Sequence, residues 1–184
     1  MMSTVTRPRA TIADYERLPE GAPYQLIDGE LIMTPSPAPF HQIVSARLEF
    51  ALMGFVIERG LGTVLDAPID IVLSEGDVYQ PDIIFIRSER RAIIGEKNIQ
   101  GAPDLVVEIL SPSTAYYDLR TKRDIYEKAG VQEYWVVDPM GRQVEVFANR
   151  DGLFSLAGQC RGEGRIESQI LPGFSVDIAS LFQQ

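Results

Sequence analysis

Three observations predict a mixed α/β layer fold, of the α+β type, with a mixed sheet and flanking helices. The centre of the chain reads α-β-β-β-β-α-β, and one of its strands is apolar on nearly every residue, as in a sheet covered on both faces. The chain has 184 residues, 45% hydrophobic and 23% charged, which is enough for one core without a metal or disulfide.

In chain order, Thr11 can cap a short helix through about Arg17, and residues 24–33 read as a hairpin turned at Asp28-Gly29. Pro35, Pro37 and Pro39 lead into a helix from about Pro39 to Arg59, where Phe40, Val44, Leu48, Ala51, Leu52 and Phe55 recur at helical spacing and predict one buried face. Three β-rich runs follow at 63–66, 69–73 and 82–86, and residues 87–101 read as an exposed loop. Residues 105–110 form the doubly covered strand, with helices expected on both sides. A helix from about Ala115 to Ala129 stops at Gly130, and residues 134–137 are the next strand. The remainder reads as hairpins turned at Met140-Gly141 and Asp151-Gly152 and a short helix near 177–181. The expected organisation is one domain over 1–184, with its core at about 24–139 and added hairpins at 140–184.

Cys160 is the only cysteine and His41 the only histidine, so one chain can build neither a disulfide nor a structural zinc site of Cys and His ligands. Residues 1–10 hold no apolar stretch of signal-peptide length, and no uninterrupted apolar run reaches ~18 residues. The expectation is a cytoplasmic protein with no membrane partner. Phosphate-loop, dinucleotide and serine-elbow motifs are missing. With 26 acidic against 17 basic side chains, the net charge of -9 opposes a broad electrostatic grip on nucleic acid.

Three residues do not fit packing alone. Glu108 interrupts the apolar run 105–110, and a carboxylate there needs a cation, a metal or hydrogen-bond donors. It is either a buried ion pair or part of a site. Asp82 follows Pro81 at a strand mouth, where either a turn residue or a ligand fits. On a wheel with Leu119 at 0° and ~100° per residue, Lys122 falls near -60°, between Tyr126 near -20° and Ala129 near -80°, so it points inward. Asp118 lies at the edge of that face. Two carboxylates from neighbouring strands with an inward lysine suit Mg²⁺-assisted phosphodiester hydrolysis. His41 borders the buried face of its helix, and Glu30 follows the hairpin turn; each is either structural or part of the site.

Several strings occur together in order: Tyr24-Gln-Leu-Ile-Asp-Gly-Glu-Leu31, Gln80-Pro-Asp-Ile-Ile-Phe85, residues 102–114, Asp118-x-x-x-Lys122-x-x-x-Tyr126 and residues 130–139. In these segments the chain resembles the PD-(D/E)xK restriction-endonuclease-like superfamily, and specifically its bacterial Uma-two family. The likeness is close over about 24–139 and looser to residues 171–174. It implies a restriction-endonuclease-like core, with Asp82 and Glu108 as the metal-binding acids and Mg²⁺ (or Mn²⁺) as cofactor. Leu110 occupies the usual lysine position, and the resemblance supplies Lys122 from the following helix instead. Glu30 and His41 match further positions lining the family's site, and Asp118 and Tyr126 flank Lys122 in its motif. DNA as substrate, and a homodimer, are what the likeness implies of partners. A non-catalytic binding module of the same fold is the competing reading, favoured by the acidic charge. Arg87, Arg90, Arg91, Lys97, Arg120 and Arg123 are the expected phosphate path.

Overall fold

The computed structural model describes residues 9–19, 21–34, 36–111 and 121–183. A short helix α1 (Ile12–Tyr15) precedes the hairpin β1 (Tyr24–Ile27) and β2 (Glu30–Met33), turned at Asp28-Gly29 as expected. The long helix α2 (Pro39–Arg59) has the predicted bounds, with proline in its first turn and Gly60 left-handed at its end. Next come β3 (Gly62–Asp66), β4 (Ile71–Ser74), β5 (Asp77–Tyr79), β6 (Ile83–Arg87), β7 (Ile99–Gln100) and β8 (Leu105–Ile109). Helix α3 (Arg123–Ala129), β9 (Glu133–Asp138), the hairpin β10 (Gln143–Arg150) and β11 (Leu153–Arg161), the ribbon β12 (Arg165–Glu167) and β13 (Ser175–Asp177), and α4 (Ile178–Leu181) complete the order.

Six strands form the main sheet in the order β11-β10-β9-β8-β6-β3, with β8 parallel to β9 and antiparallel to β6. A second, five-stranded sheet has the order β2-β1-β5-β4-β7. Period-two alternation divides β8 cleanly: Leu105, Val107 and Ile109 pack with Val44, Leu48, Leu52 and Val56 of α2, whereas Val106 packs with Tyr126 of α3 and with Tyr79, Ile71 and Ile99 of the smaller sheet. One face is therefore covered by α2 and the C-terminal residues, the other by α3 together with strands. Helices lie on both sides as expected, and strands of the smaller sheet share the second face.

Three corrections have plain causes. The buried stripe of α2 is His41, Val44, Leu48, Leu52 and Val56 rather than the predicted set; Ala51 is exposed, because the stripe follows a four-residue ridge. Residues 87–101 are ordered, with a 3₁₀ turn at Ser88–Ile93 and β7 pairing with β4 through a fully buried Ile99. The three-residue β5 lay hidden beside the turn at 75–77 because it is too short to display a period. The first part of the helix predicted at 115–129, with Asp118 and Arg120, lies outside the described residues. Helix α2 is also long and apolar enough to cross a membrane by length and composition alone, a test that the core helix of a soluble protein passes as well, and 28% of that apolar window is buried.

Candidate active site at the end of the central strand

Pro81 ends the approach from β5, and β6 starts one residue later, so Asp82 sits at the strand mouth. The register pairs Ile83 with Val107, and continuing it one step brings Asp82 opposite Glu108. Asp82 Oδ2 accepts the Ile109 amide at 2.6 Å, so the carboxylate extends the ladder where backbone pairing stops. Glu108 shares the orientation of Val106 and faces α3. Lys122 and Tyr126 lie four residues apart, on one stripe of the helix. Lys122 Nζ donates to Glu108 Oε2 at 2.8 Å, and the Tyr126 hydroxyl donates to Glu108 Oε1 at 2.7 Å.

His41 reaches the same point from the first turn of α2. Its Nε2 is 3.0 Å from the Ile109 carbonyl oxygen and 3.3 Å from Asp82 Oδ1, so Nε2 carries the proton and donates. Both backbone groups of Ile109 are thus held by Asp82 and His41. Among the described residues, the other ring nitrogen, Nδ1, is buried without a hydrogen-bond partner.

Burial by itself pulls the imidazole down, but the hydrogen bond and charge of Asp82, the Ile109 carbonyl and the charge of Glu108 outweigh it and raise the His41 pKa. Burial, then the charge and hydrogen bond of Glu108, push the Tyr126 phenol well above its ordinary value and keep it a donor. Tyr126 is wedged edge-on between Tyr79 and Tyr134, with ring centroids 5.6 and 5.4 Å away. The side chains of Glu108 and Lys122 are 4% and 6% exposed and that of Asp82 19%, so solvent reaches the cluster past Asp82.

Asp82, Glu108, Lys122, His41 and Tyr126 are therefore brought together. Glu30 is exposed at the start of β2 and has no hydrogen bond or ion pair to this cluster among the described residues; Asp118 lies outside them. Among the described residues no group of three His, Cys, Asp or Glu side chains forms a metal cage. Two carboxylates beside the Ile109 carbonyl nonetheless fit Mg²⁺, which takes one or two carboxylates and fills its remaining positions with water and phosphate oxygens. The donor set is all oxygen and suits a hard cation.

The expected phosphate path is partly spoken for. Arg87 and Arg90 stand 3.5 and 3.0 Å from Asp104 Oδ1, and Asp104 Oδ2 accepts the Arg87 amide. The Nη2 atoms of Arg87 and Arg90 donate to the Ile170 and Ala102 carbonyls respectively. Arg123 lies over the Phe147 ring, 4.4 Å from its centroid. Arg91 and Lys97 stay exposed.

Sequence reasoning missed two buried acids. Asp104 carries no signal of its own, because it follows Pro103 at a strand mouth like an ordinary turn residue. Glu133, fully buried, accepts Trp135 Nε1–H and the Ser168 hydroxyl, each at 2.7 Å, and the Gln169 and Ile170 amides. An acid opening the apolar run Glu133-Tyr-Trp-Val-Val137 carries the same signal that singled out Glu108. It faces the α2 side with Trp135, away from Lys122 and Tyr126.

A model of the Uma2 family, described as "Putative restriction endonuclease", matches residues 12–179. Among solved structures, a protein of Anabaena variabilis described as "a putative nuclease belonging to DUF820" superposes with a TM-score of 0.77. The two are 20% identical, over 94% of this chain and 97% of the other, and the likeness speaks for a shared nuclease-like fold. No curated protein matches the sequence.

Proposed function

The chain belongs to the Uma2 family of nucleases, and on that premise we propose that it is an endonuclease that hydrolyses phosphodiester bonds, in DNA, with Mg²⁺ or Mn²⁺ held by Asp82 and Glu108. The observation that carries this reading is the meeting of two carboxylates from adjacent strands with an inward lysine, at a point solvent enters past Asp82. A bound divalent cation supplies positive charge beside the phosphate and makes water more acidic.

The protein's own groups do the rest. Lys122 Nζ, already on the Glu108 carboxylate, orients the attacking water and offers a positive charge to the phosphate oxygens as negative charge gathers on them. The water oxygen bonds to phosphorus and releases a proton to solvent, the bond to the leaving ester oxygen breaks, and that oxygen takes up a proton from solvent. Tyr126 fixes the Glu108 carboxylate by holding one oxygen. His41 holds the Ile109 carbonyl and so steadies the strand end that presents both acids. The low exposure of Glu108 and Lys122 limits water around them and strengthens their mutual field.

A second reading, a binding module of the same fold without catalysis, draws on a specific observation: Asp104 holds Arg87 and Arg90, in a chain of net charge -9. Two measurements separate the readings. Calorimetric titration with Mg²⁺ and Mn²⁺ gives binding that is lost in Asp82→Ala and Glu108→Ala, and supercoiled DNA is nicked by wild type but not by Lys122→Ala. Metal binding with no nicking above the Lys122→Ala level, on any DNA or RNA tested, overturns the endonuclease reading in favour of the module.

A further inference from the structure

Helix α2 has two apolar faces, and the fold uses one. With Phe50 at 0° and ~100° per residue, the buried residues His41, Leu48 and Leu52 centre on ~180°. Directly opposite, within ~40° of Phe50, lie Ile43, Ala46, Gly54 and Ile57. Ile43 is 46% exposed, Phe50 84% and Ile57 69%, the three exposed large apolar side chains of the helix. A helix that is apolar all round is ordinarily covered all round, and here only 28% of the apolar window is buried.

The order of residues on this stripe identifies what covers it. A two-fold interface sets position 50+k of one copy against 50-k of the other when the helices run antiparallel and the axis passes Phe50. Under that operation Ile43 meets Ile57, Ala46 meets Gly54, and Phe50 meets Phe50. Large residues face large and small face small, and Ala46 and Gly54 leave the room Phe50 requires.

Charge agrees. In a chain of net charge -9, α2 carries Arg47 and Arg59 against Glu49 and Glu58 and is neutral, so two copies repel least when they meet here. The exposed parts of Ile43, Phe50 and Ile57 amount to on the order of 350 Å² per copy. Two copies, with the stems of Gln42, Met53 and Glu58 added, come near the roughly 1,000 Å² at which specific association begins.

We infer that the outer face of α2 is a self-complementary interface through which two copies of this chain pair antiparallel about Phe50. The pairing is independent of the nuclease reading. An interface this small fits a weak, reversible dimer, and the two His41 residues lie ~27 Å apart along the helix axes, because each is nine residues from the dyad at ~1.5 Å per residue.

Sedimentation equilibrium of the full chain from ~1 to ~200 μM tests it, with a monomer–dimer equilibrium expected in that range. Phe50→Asp, which places two carboxylates together on the axis, raises the dissociation constant at least ~100-fold, whereas Leu153→Asp, on the exposed edge of β11, changes it less than ~3-fold. In a Cys160→Ser background, oxidation links Phe50→Cys to itself, while Ile43→Cys and Leu153→Cys link poorly, since only a residue on the axis meets its own copy. A wild type that stays monomeric, a dimer indifferent to Phe50→Asp, or Phe50→Cys linking no better than Leu153→Cys overturns the inference. So does a monomer that co-sediments with phosphatidylglycerol vesicles through this face, which would assign it to lipid.

Discussion

Replacing Lys122 by methionine removes an ammonium 2.8 Å from Glu108 Oε2 and leaves a similar volume of apolar side chain. The Glu108 side chain is 4% exposed, so water cannot take over. Removing one partner of a buried pair costs about 3–5 kcal/mol. The Tyr126 hydroxyl still donates to Oε1, a charged hydrogen bond worth about 1.5–3 kcal/mol, which favours the lower end, near ~3 kcal/mol. For a chain of this length that is a fall in Tm of about 6–12 °C. Glu108→Gln takes the carboxylate charge away from the ammonium instead, and the double variant Glu108→Gln/Lys122→Met removes both charges while keeping an oxygen for Tyr126. The double variant is therefore more stable than Lys122→Met, with a coupling of about 2–4 kcal/mol between the two sites. Urea unfolding at pH 7 of the four proteins measures it. A loss below about 1 kcal/mol for Lys122→Met, or additive single effects, refutes the reasoning that Glu108 depends on Lys122.

Asp104→Ala frees Arg87 and Arg90 and strands the Arg87 amide, so it lowers stability by about 2–4 kcal/mol in urea unfolding, while metal titration is unchanged. Burial raises the Glu133 carboxyl above the ordinary glutamate value, against the opposing hydrogen bonds of Trp135, Ser168 and the 169–170 amides. Because the folded state holds that proton more tightly than the unfolded chain, the contribution of Glu133 is fully present below pH 4.5 and is lost as pH rises through the raised folded value. The stability difference between wild type and Glu133→Gln should shrink in wild type's disfavour over that window, and a difference flat from pH 4 to 8 contradicts the assignment. Glu30→Ala, outside the bonded cluster, leaves calorimetric Mn²⁺ binding unchanged.

What the sequence made legible follows from the reach of each signal. The bounds of α2 were readable because proline opens it and glycine closes it, and the site acids because charge in an apolar strand is conspicuous. The wheel placed Lys122 because Tyr126 and Ala129 share its stripe. The outward stripe of α2 went unread because two opposite apolar faces cancel as a periodic signal and leave only general apolarity. The bonds of Asp104 could not be foreseen either: a carboxylate that ties Arg87 and Arg90 draws on residues 14 to 17 positions away, and only β6 meeting β8 brings them together. The grip of His41 on Ile109 spans 68 positions and depends on the first turn of α2 ending above β8.

The ion pair between Lys122 and Glu108 has a practical corollary. Domains whose ligands come together only around a metal unfold when a chelator takes it away. Here the deeper of the two site carboxylates, Glu108, already has a cation from its own chain, so the fold stands whether or not a divalent ion arrives. Protein kept in EDTA should retain its native spectrum and melting behaviour, and cation can then be returned to start a reaction from zero time. The cluster thus separates loading from folding, and every measurement of the two can be made on the same sample.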